Sequence, residues 1–384
     1  MAEERSERFE AALGQMIALL GALVIALALG SVIVFLYGES PLTVYSAILE
    51  GSFGDKTGLG YVLANATPLV FSALAVAVCF KGGMFNIGVE GQYIVGMAAA
   101  AAAALTLTWL PGPLLIWVAV LCGVLGSMAW AAIPAILKVK TGAHEVVTTI
   151  MLNGVAGSLV AWLIRGPLRY EDIGGGFNVN LRTDPFPANA VIPDLGHLFG
   201  IRESVRLSWL LPVAIVAAVV VWFVMKRMRL GYEARAVGAS PGSAQAGGIS
   251  IAGTQVRLFL LSGALAGFIG MQQLFADQHF LPAGYEAGLG FIGIGVAFLG
   301  QNNAFGIVFA AFFWGVLARG ETALQIETDV PREFVIILQG ILIISVVVTY
   351  QLARRRLLAR SLRRSLEAEE AVAAAAVATR GEEG

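Results

Sequence analysis

Charge is what this chain has least of. Of its 384 residues 13% are charged and 58% hydrophobic, with a mean hydropathy of +0.79, whereas soluble domains carry roughly 25% charged residues. That balance excludes an ordinary soluble domain and reads as an integral membrane protein. Cysteine is nearly absent. Cys79 and Cys122 both fall inside apolar runs, so neither a disulfide framework nor a CxxC metal site is available. The three histidines, His144, His197 and His279, stand in separate loops without ligand spacing. No GxxxxGK[ST] occurs, so the chain has no P-loop of its own. Two patterns imitate catalytic motifs. GASPG at Gly238–Gly242 has the form of a nucleophile elbow, but Pro241 follows the serine and has no N–H for an oxyanion hole. GLGFIG at Gly288–Gly293 has the form of a dinucleotide fingerprint but follows no βαβ strand, and close helix packing explains its glycines better. The net charge of −1 identifies no partner, and no nucleic-acid partner is expected.

What the chain has is long apolar runs. They predict an all-α membrane protein of about ten transmembrane helices, over Gly14–Tyr37, Tyr61–Phe80, Tyr93–Thr108, Pro113–Leu137, Val146–Ile164, Ser208–Met225, Val256–Phe275, Leu289–Ala318 and Phe334–Gln351. The first exceeds a signal-peptide core of roughly 7–15 residues, so a retained span is expected. Charge placement orients them. Arg354, Arg355, Arg356, Arg360, Arg363 and Arg364 follow the last span, and the segment Lys226–Arg257 holds Lys226, Arg227, Arg229, Arg235 and Arg257 against Glu233 alone. Both segments are therefore cytoplasmic. An even number of spans must join them, so 289–318 is expected to be a hairpin bent at Gln301–Asn303, leaving both termini cytoplasmic. The organisation is then a cytoplasmic N-terminus (1–13), a permease-like membrane domain (14–352) and a basic, then Ala/Glu-rich tail (353–384). Gly38–Gly60 is expected as an outer loop, and 165–207 as a small ordered outer cap. The end of the tail is too low in complexity to demand structure.

Ten spans divide into five plus five, the arithmetic of an inverted repeat with broken helices at the substrate site. FKGGMFNIGVEGQ at Phe80–Gln92 sets polar and glycine residues between two apolar runs. Either it is a short cytoplasmic turn or it is a broken helix lining a pathway, because polar backbone at membrane depth survives only under cover of protein or water. An intramembrane glutamate tends to mark a substrate path. FLPAGYEAGLG at Phe280–Gly290 is the candidate partner, with Phe80/Phe280 and Gly88/Gly288 aligned and Phe85 opposite Tyr285. The expected helix breaks are Gly82, Gly83, Gly88, Gly284 and Gly288. Candidate pathway residues are Asn86, Glu90, Gln92, Asn153 and Gln272. For Asn153 the alternative is helix–helix hydrogen bonding, and for Gln272 an interfacial position beside Gly263, Gly267 and Gly270. In LGYEARAVGASPGSAQAGGISIAG, Leu230–Gly253, short helices should divide at Ala239-Ser240-Pro241. Ser240 would be the cap and Pro241 the first helical residue, a surface suited to a peripheral subunit.

FNIGVEGQ at 85–92, TGAHEVVTTIMLN at 141–153 and GYEARAVGASPGSAQAGGIS at 231–250 closely resemble permease subunits of bacterial ABC importers. The family is the branched-chain amino acid/ribose/nucleoside type, and the resemblance is greatest to the larger nucleoside (simple-sugar-type) permease. It covers nearly the whole chain, from about Gly14 to Leu352. It implies a transporter subunit of the bacterial inner membrane rather than an enzyme. The implied assembly has a second permease subunit, a two-cassette ATPase that binds ATP and Mg, and an extracytoplasmic substrate-binding lipoprotein. No cofactor is expected in this chain. Glu233, Arg235, Gly238 and Pro241 become the candidates for contact with the ATPase. Nucleosides or related simple sugars are the expected substrates. The alternatives are branched-chain amino acids within the same class, or an ion-coupled secondary transporter using Glu90.

Overall fold

The computed structural model describes residues 21, 23–170, 181–201, 205–284, 288–327, 331, 333–346, 348–349 and 352. The 1–13 segment, the tail, Tyr285 and residues 171–180 of the expected outer cap lie outside them. Among the described residues the protein is helical with no β-strand; isolated bridges join Arg182 to Pro282 and Asp194 to Ser208. The chain divides into two compact units, Met1–Pro41 with Glu333–Gly384, and Leu42–Arg332. The first contains two apolar helices, α1 (Leu23–Leu36) and α13 (Glu333–Val346).

The second unit is built around α3 (Lys56–Lys81). Asp55 starts it by accepting a hydrogen bond from Gly58 N at 2.6 Å, which satisfies one free N–H of the first turn. Its 26 residues span about 39 Å at 1.5 Å per residue, and 83% of its most apolar stretch is buried. A helix apolar all round belongs in the middle of a bundle. Around it pack α7 (Leu210–Arg227), α10 (Ile251–Ala266), α11 (Leu289–Leu299) and α12 (Ala304–Glu327). Beyond these lie α4 (Val89–Thr106), α5 (Gly112–Thr141) and α6 (Glu145–Arg165). Among the described residues five helices are long and apolar enough to cross a bilayer: α3, α5, α6, α7 and the Ala304–Thr322 part of α12. Close approach needs small residues. A Cβ added to Gly263 or Gly267 would lie 2.6 Å from Ala131 Cβ or Val124 Cα of α5.

Three boundaries differ from the sequence expectation. Pro41–Phe53, inside the expected loop 38–60, is a helix, α2, with Val44, Ala47, Ile48 and Ser52 buried on one face. The glycines and acids that mark the stretch as a loop (Gly38, Glu39, Gly54, Asp55, Gly58 and Gly60) flank this helix, while Pro41–Phe53 itself is mostly apolar. The expected span 256–275 instead starts at Ile251 and ends as an α-helix at Ala266. Turns and a π-helical segment, Gln273–Gln278, complete it. The run 289–318 is broken where expected: Gln301 and Asn302 have φ of 55° and 53°. However, α12 continues to Glu327. Outside the bundle, residues 181–192 pair by backbone with 275–283, as in Thr183 N to Leu281 O (3.0 Å) and Ile192 N to Phe275 O (2.9 Å).

Candidate functional site at two interrupted helices

α3 stops at Lys81 because the next residues turn back. Gly82 N and Met84 N both bond to Cys79 O, and Gly83 has φ +71°, which L side chains rarely adopt. The chain does not stay at that level. Asn86 Nδ2 donates to Ser262 Oγ at 2.9 Å, and Ser262 Oγ donates to Ala75 O at 2.7 Å. Ala75 lies six residues before Lys81, about 9 Å back along α3. The 82–88 segment is therefore re-entrant, and α4 begins well inside the bundle. α11 begins at comparable depth, since Ser72 Oγ donates to Leu289 O at 2.8 Å.

The buried start of α4 is satisfied by side chains. Asn86 Oδ1 accepts from Gly88 N (3.0 Å) and from Gln92 Nε2 (3.1 Å), while Asn86 Nδ2 also donates to Gln92 Oε1 (3.2 Å). Asn153 reaches over from α6. Its Oδ1 accepts from Gly91 N at 2.9 Å and its Nδ2 donates to Ile87 O at 3.0 Å. Ser127 Oγ of α5 donates to Gln92 O at 2.7 Å. Each bond answers a backbone or amide group that hydrocarbon would leave unpaired.

Glu90 closes the node. It is 2% exposed. Its Oε1 accepts from Gly288 N (2.8 Å) and Tyr93 OH (3.1 Å), and its Oε2 accepts from Gly290 N (2.8 Å). Gly288 precedes α11 with φ +146°, and Gly88 directly precedes α4. One carboxylate thus sits at the N-termini of two helices, where the helix dipole favours negative charge. A Cβ on Gly290 would lie 2.5 Å from Glu90 N, so the two backbones approach as closely as they do only because that residue is glycine.

Four of the five candidate pathway residues, Asn86, Glu90, Gln92 and Asn153, meet in this node. Gln272 does not. It accepts from Ser208 Oγ at 3.2 Å and donates to Ala64 O at 3.0 Å, tying α3 to the start of α7. The expected breaks Gly82, Gly83 and Gly88 lie in the α3–α4 connection, and Gly284 (φ +70°) and Gly288 lead to α11. The Phe80/Phe280 alignment joins unlike residues. Phe80 packs edge-on against Phe85 and Phe298, whereas Phe280 lies under the Arg182 guanidinium. Ser72, Tyr93, Ser127 and Ser262 were not singled out by sequence. Their only signal is an isolated hydroxyl in an apolar helix.

Below the node lies the 226–255 segment, folded as α8 (Arg229–Ala239) and α9 (Pro241–Ala246). Ser240 caps α9 by accepting from Ser243 N, and Pro241 is its first residue, the division expected from sequence. Glu233 is 3% exposed and bound by Arg229 Nε (2.6 Å), Arg257 Nη2 (2.8 Å) and Thr254 Oγ1 (3.4 Å), so its carboxylate holds α8 to α10. Burial alone would push this carboxyl up. The Arg229 hydrogen bond and the charges of Arg257 and Arg229 outweigh it and hold the group below the usual carboxylate range. Arg235 is exposed and donates to Met225 O at the end of α7. Gly238 touches the interrupted helix itself: a Cβ there would lie 2.5 Å from Lys81 O and 3.1 Å from Gly83 N. Pro241 is exposed, and Tyr232, missed by sequence, is 62% exposed on the same segment.

Apolar helices interrupted at depth, with their N-termini meeting over a buried polar node, define a membrane transport protein. Residues 58–347 match the family described as branched-chain amino acid transport system / permease component. The chain belongs to that family and is a permease subunit of an ABC importer, a multi-pass inner-membrane protein rather than an enzyme. It is 36% identical to the guanosine ABC transporter permease protein NupP of Bacillus subtilis, over 86% of this chain and 92% of NupP. It is 32% identical to the glucose ABC transporter permease protein TsgB13 of Haloferax volcanii, over 86% and 87%. It is 30% identical to the nucleoside ABC transporter permease protein NupB of Lactococcus lactis, over 86% and 90%. Permeases of this family work with an ATPase and a substrate-binding protein.

Proposed function

We propose that this permease carries nucleosides into the cytoplasm, with simple sugars as the second substrate class. The carrying observation is the similarity to the guanosine and nucleoside permeases over 86% of the chain. The node supports an uncharged substrate. The N–H groups at the start of α11 already bond Glu90, and those of Gly88 and Gly91 at the start of α4 bond Asn86 and Asn153, so no free helix N-terminus here awaits an anion. Asn86, Gln92 and Asn153 carry neutral amide donors and acceptors suited to hydroxyls and base edges. α6 is the least covered of the spanning helices, with 22% of its apolar stretch buried. We place the pathway along its open side, beside Asn153, against a second permease subunit.

The partner set is that second permease, a two-cassette ATPase holding ATP and Mg, and an extracytoplasmic substrate-binding lipoprotein. The chain makes ten membrane segments in a five-plus-five inverted repeat, with both termini cytoplasmic. The 226–255 segment couples it to the ATPase through Arg235, Pro241 and Tyr232, while Gly238 transmits the movement inward to 82–88. Motion of the interrupted helices then opens the node alternately to either side. Gln272 holds the outer end together and does not meet substrate.

The test is uptake by proteoliposomes holding the permease pair, the ATPase and the binding protein. ATP-dependent uptake of guanosine that is blocked by excess nucleoside and not by leucine supports the reading. Uptake of glucose alone moves the substrate to sugars, and uptake of leucine to branched-chain amino acids. Uptake without ATP that is abolished by an uncoupler would make the chain an ion-coupled carrier.

A further inference from the structure

A cavity of about 440 Å³ opens within the Leu42–Arg332 unit, between α3, α7, α8 and the α11–α12 break. Its walls are two chemistries in one space. The depth is apolar and formed by span residues such as Val78, Trp222 and Ile307. The rim carries Lys81, Lys226 and Arg235, and no Asp or Glu lines it among the described residues. The acids of the surrounding cytoplasmic elements are engaged elsewhere: Glu233 with Arg229 and Arg257, and Glu145 with Lys138 at 2.6 Å. Lys226 Nζ lies 5.5 Å from the centre of the Trp222 ring, a pairing that holds the ammonium at the boundary between apolar and polar surroundings. A buried acceptor, Asn302 Oδ1, has no partner among the described residues, and such groups in native structures call for an explanation.

We propose that this cavity binds the phosphate headgroup of an anionic phospholipid, with the first part of an acyl chain against its apolar wall. Three cations with no acid lining the cavity among the described residues select an anion. The apolar depth selects an amphiphile over a free ion, as in other basic pockets between membrane helices on the cytoplasmic side. A headgroup hydroxyl, as in phosphatidylglycerol, would supply the donor that Asn302 Oδ1 lacks. The site touches the coupling segment through Arg235 and the interrupted helix through Lys81, so its occupant bridges the two elements that must move together. The inference is independent of which substrate is carried.

The test is native mass spectrometry of the intact permease complex, delipidated and titrated with phosphatidylglycerol, with phosphatidylethanolamine, and with phosphatidylglycerol in the presence of inorganic phosphate. The complex is expected to bind phosphatidylglycerol at least about tenfold more tightly than phosphatidylethanolamine, with the preference lost in the Lys81→Gln/Lys226→Gln double variant. Lys56→Gln, at the opposite end of α3, should leave it intact. If the double variant does not assemble, Lys226→Gln alone is expected to weaken binding about threefold. Equal lipid binding by wild type and variants overturns the proposal. Displacement by millimolar inorganic phosphate also overturns it, in favour of a free-ion site. Cross-linking of Lys226→Cys to the ATPase subunit overturns it too, in favour of a protein carboxylate.

Discussion

Replacing Glu90 by glutamine keeps the side chain's shape and removes its charge. In the native node the carboxylate accepts from Gly288 N, Gly290 N and Tyr93 OH. A glutamine has one acceptor oxygen, so its NH2 must face one of those donors. Leaving a buried donor unpaired costs about 1–3 kcal/mol. Loss of the charge at two helix N-termini removes about 0.3–1 kcal/mol at each. The sum is about 2–5 kcal/mol, concentrated where α4 meets α11. The expected result for Glu90→Gln is a thermal unfolding midpoint lower by several degrees in the purified complex, together with lost ATP-driven uptake. Glu90→Ala should do the same and leave room for an anion. Acetate at tens of millimolar should then recover part of the stability of Glu90→Ala, and none in Glu90→Gln, whose amide still fills the space. A substrate ligand behaves differently: its loss raises KM and leaves the unfolding midpoint alone. Wild-type stability in Glu90→Gln, with or without transport, would refute the clamp.

Gly290→Ala places a Cβ 2.5 Å from Glu90 N and 2.7 Å from its Cα. Both are backbone atoms that cannot rotate away, so this variant should lose uptake and thermal stability. Gly154→Ala, with nothing within 4 Å of its Cβ in the chain, should retain native stability in a melting curve. Gly238→Val forces the coupling segment off Lys81 O and Gly83 N, and is expected to cut substrate uptake at least about tenfold while the ATPase subunit still co-purifies. Glu233 has its folded pKa depressed. The stability it contributes is therefore fully present above the unfolded carboxyl value, about 4.3, and is lost as pH falls through the lower folded value. The difference in melting temperature between wild type and Glu233→Gln should stay constant between pH 5 and 8. A Glu233-dependent change in that window would contradict the assignment.

The helical class and the bend at Gln301–Asn303 were legible because composition and charge placement are properties of whole segments. So was the cap at Ser240-Pro241, where a local rule acts on adjacent residues. The glycine-rich breaks were legible for the same reason, since polar residues between apolar runs are visible without any tertiary knowledge. What could not be read was which polar groups meet. Glu90 looks like a free carboxylate in sequence, and its partners Gly288 and Gly290 lie two hundred residues away, presenting only backbone N–H groups. Glu233 looks like a surface residue on a charged segment until Arg257 reaches it from α10. Gln272 looks like a pathway amide because nothing local reveals Ser208 Oγ or the Ala64 carbonyl. α2 was hidden because its 13 residues are too few for a span and glycines and acids flank it.

A continuous set of short contacts runs from the 226–255 segment to the node, and on the proposed function its order would constrain how ATP hydrolysis in a partner reaches a substrate. Gly238 of α8 lies against the Lys81 carbonyl and Gly83. That loop carries Asn86, which grips Ser262 of α10 and Gln92 of α4. Two residues before Gln92, Glu90 holds the start of α11, and α11 leads directly into the broken turn at Gln301–Asn303. Coupling requires an element with two discrete arrangements that both sites bias. The 82–88 segment fits that requirement: α8 lies against one end, and the other end is fastened by hydrogen bonds rather than by continuous helix. Bonds of this kind can be exchanged for bonds to a passing polar substrate at little net change, whereas an unbroken helix at this depth would have to unwind. The interruption of α3–α4 is therefore the place where mechanical input and substrate chemistry can meet.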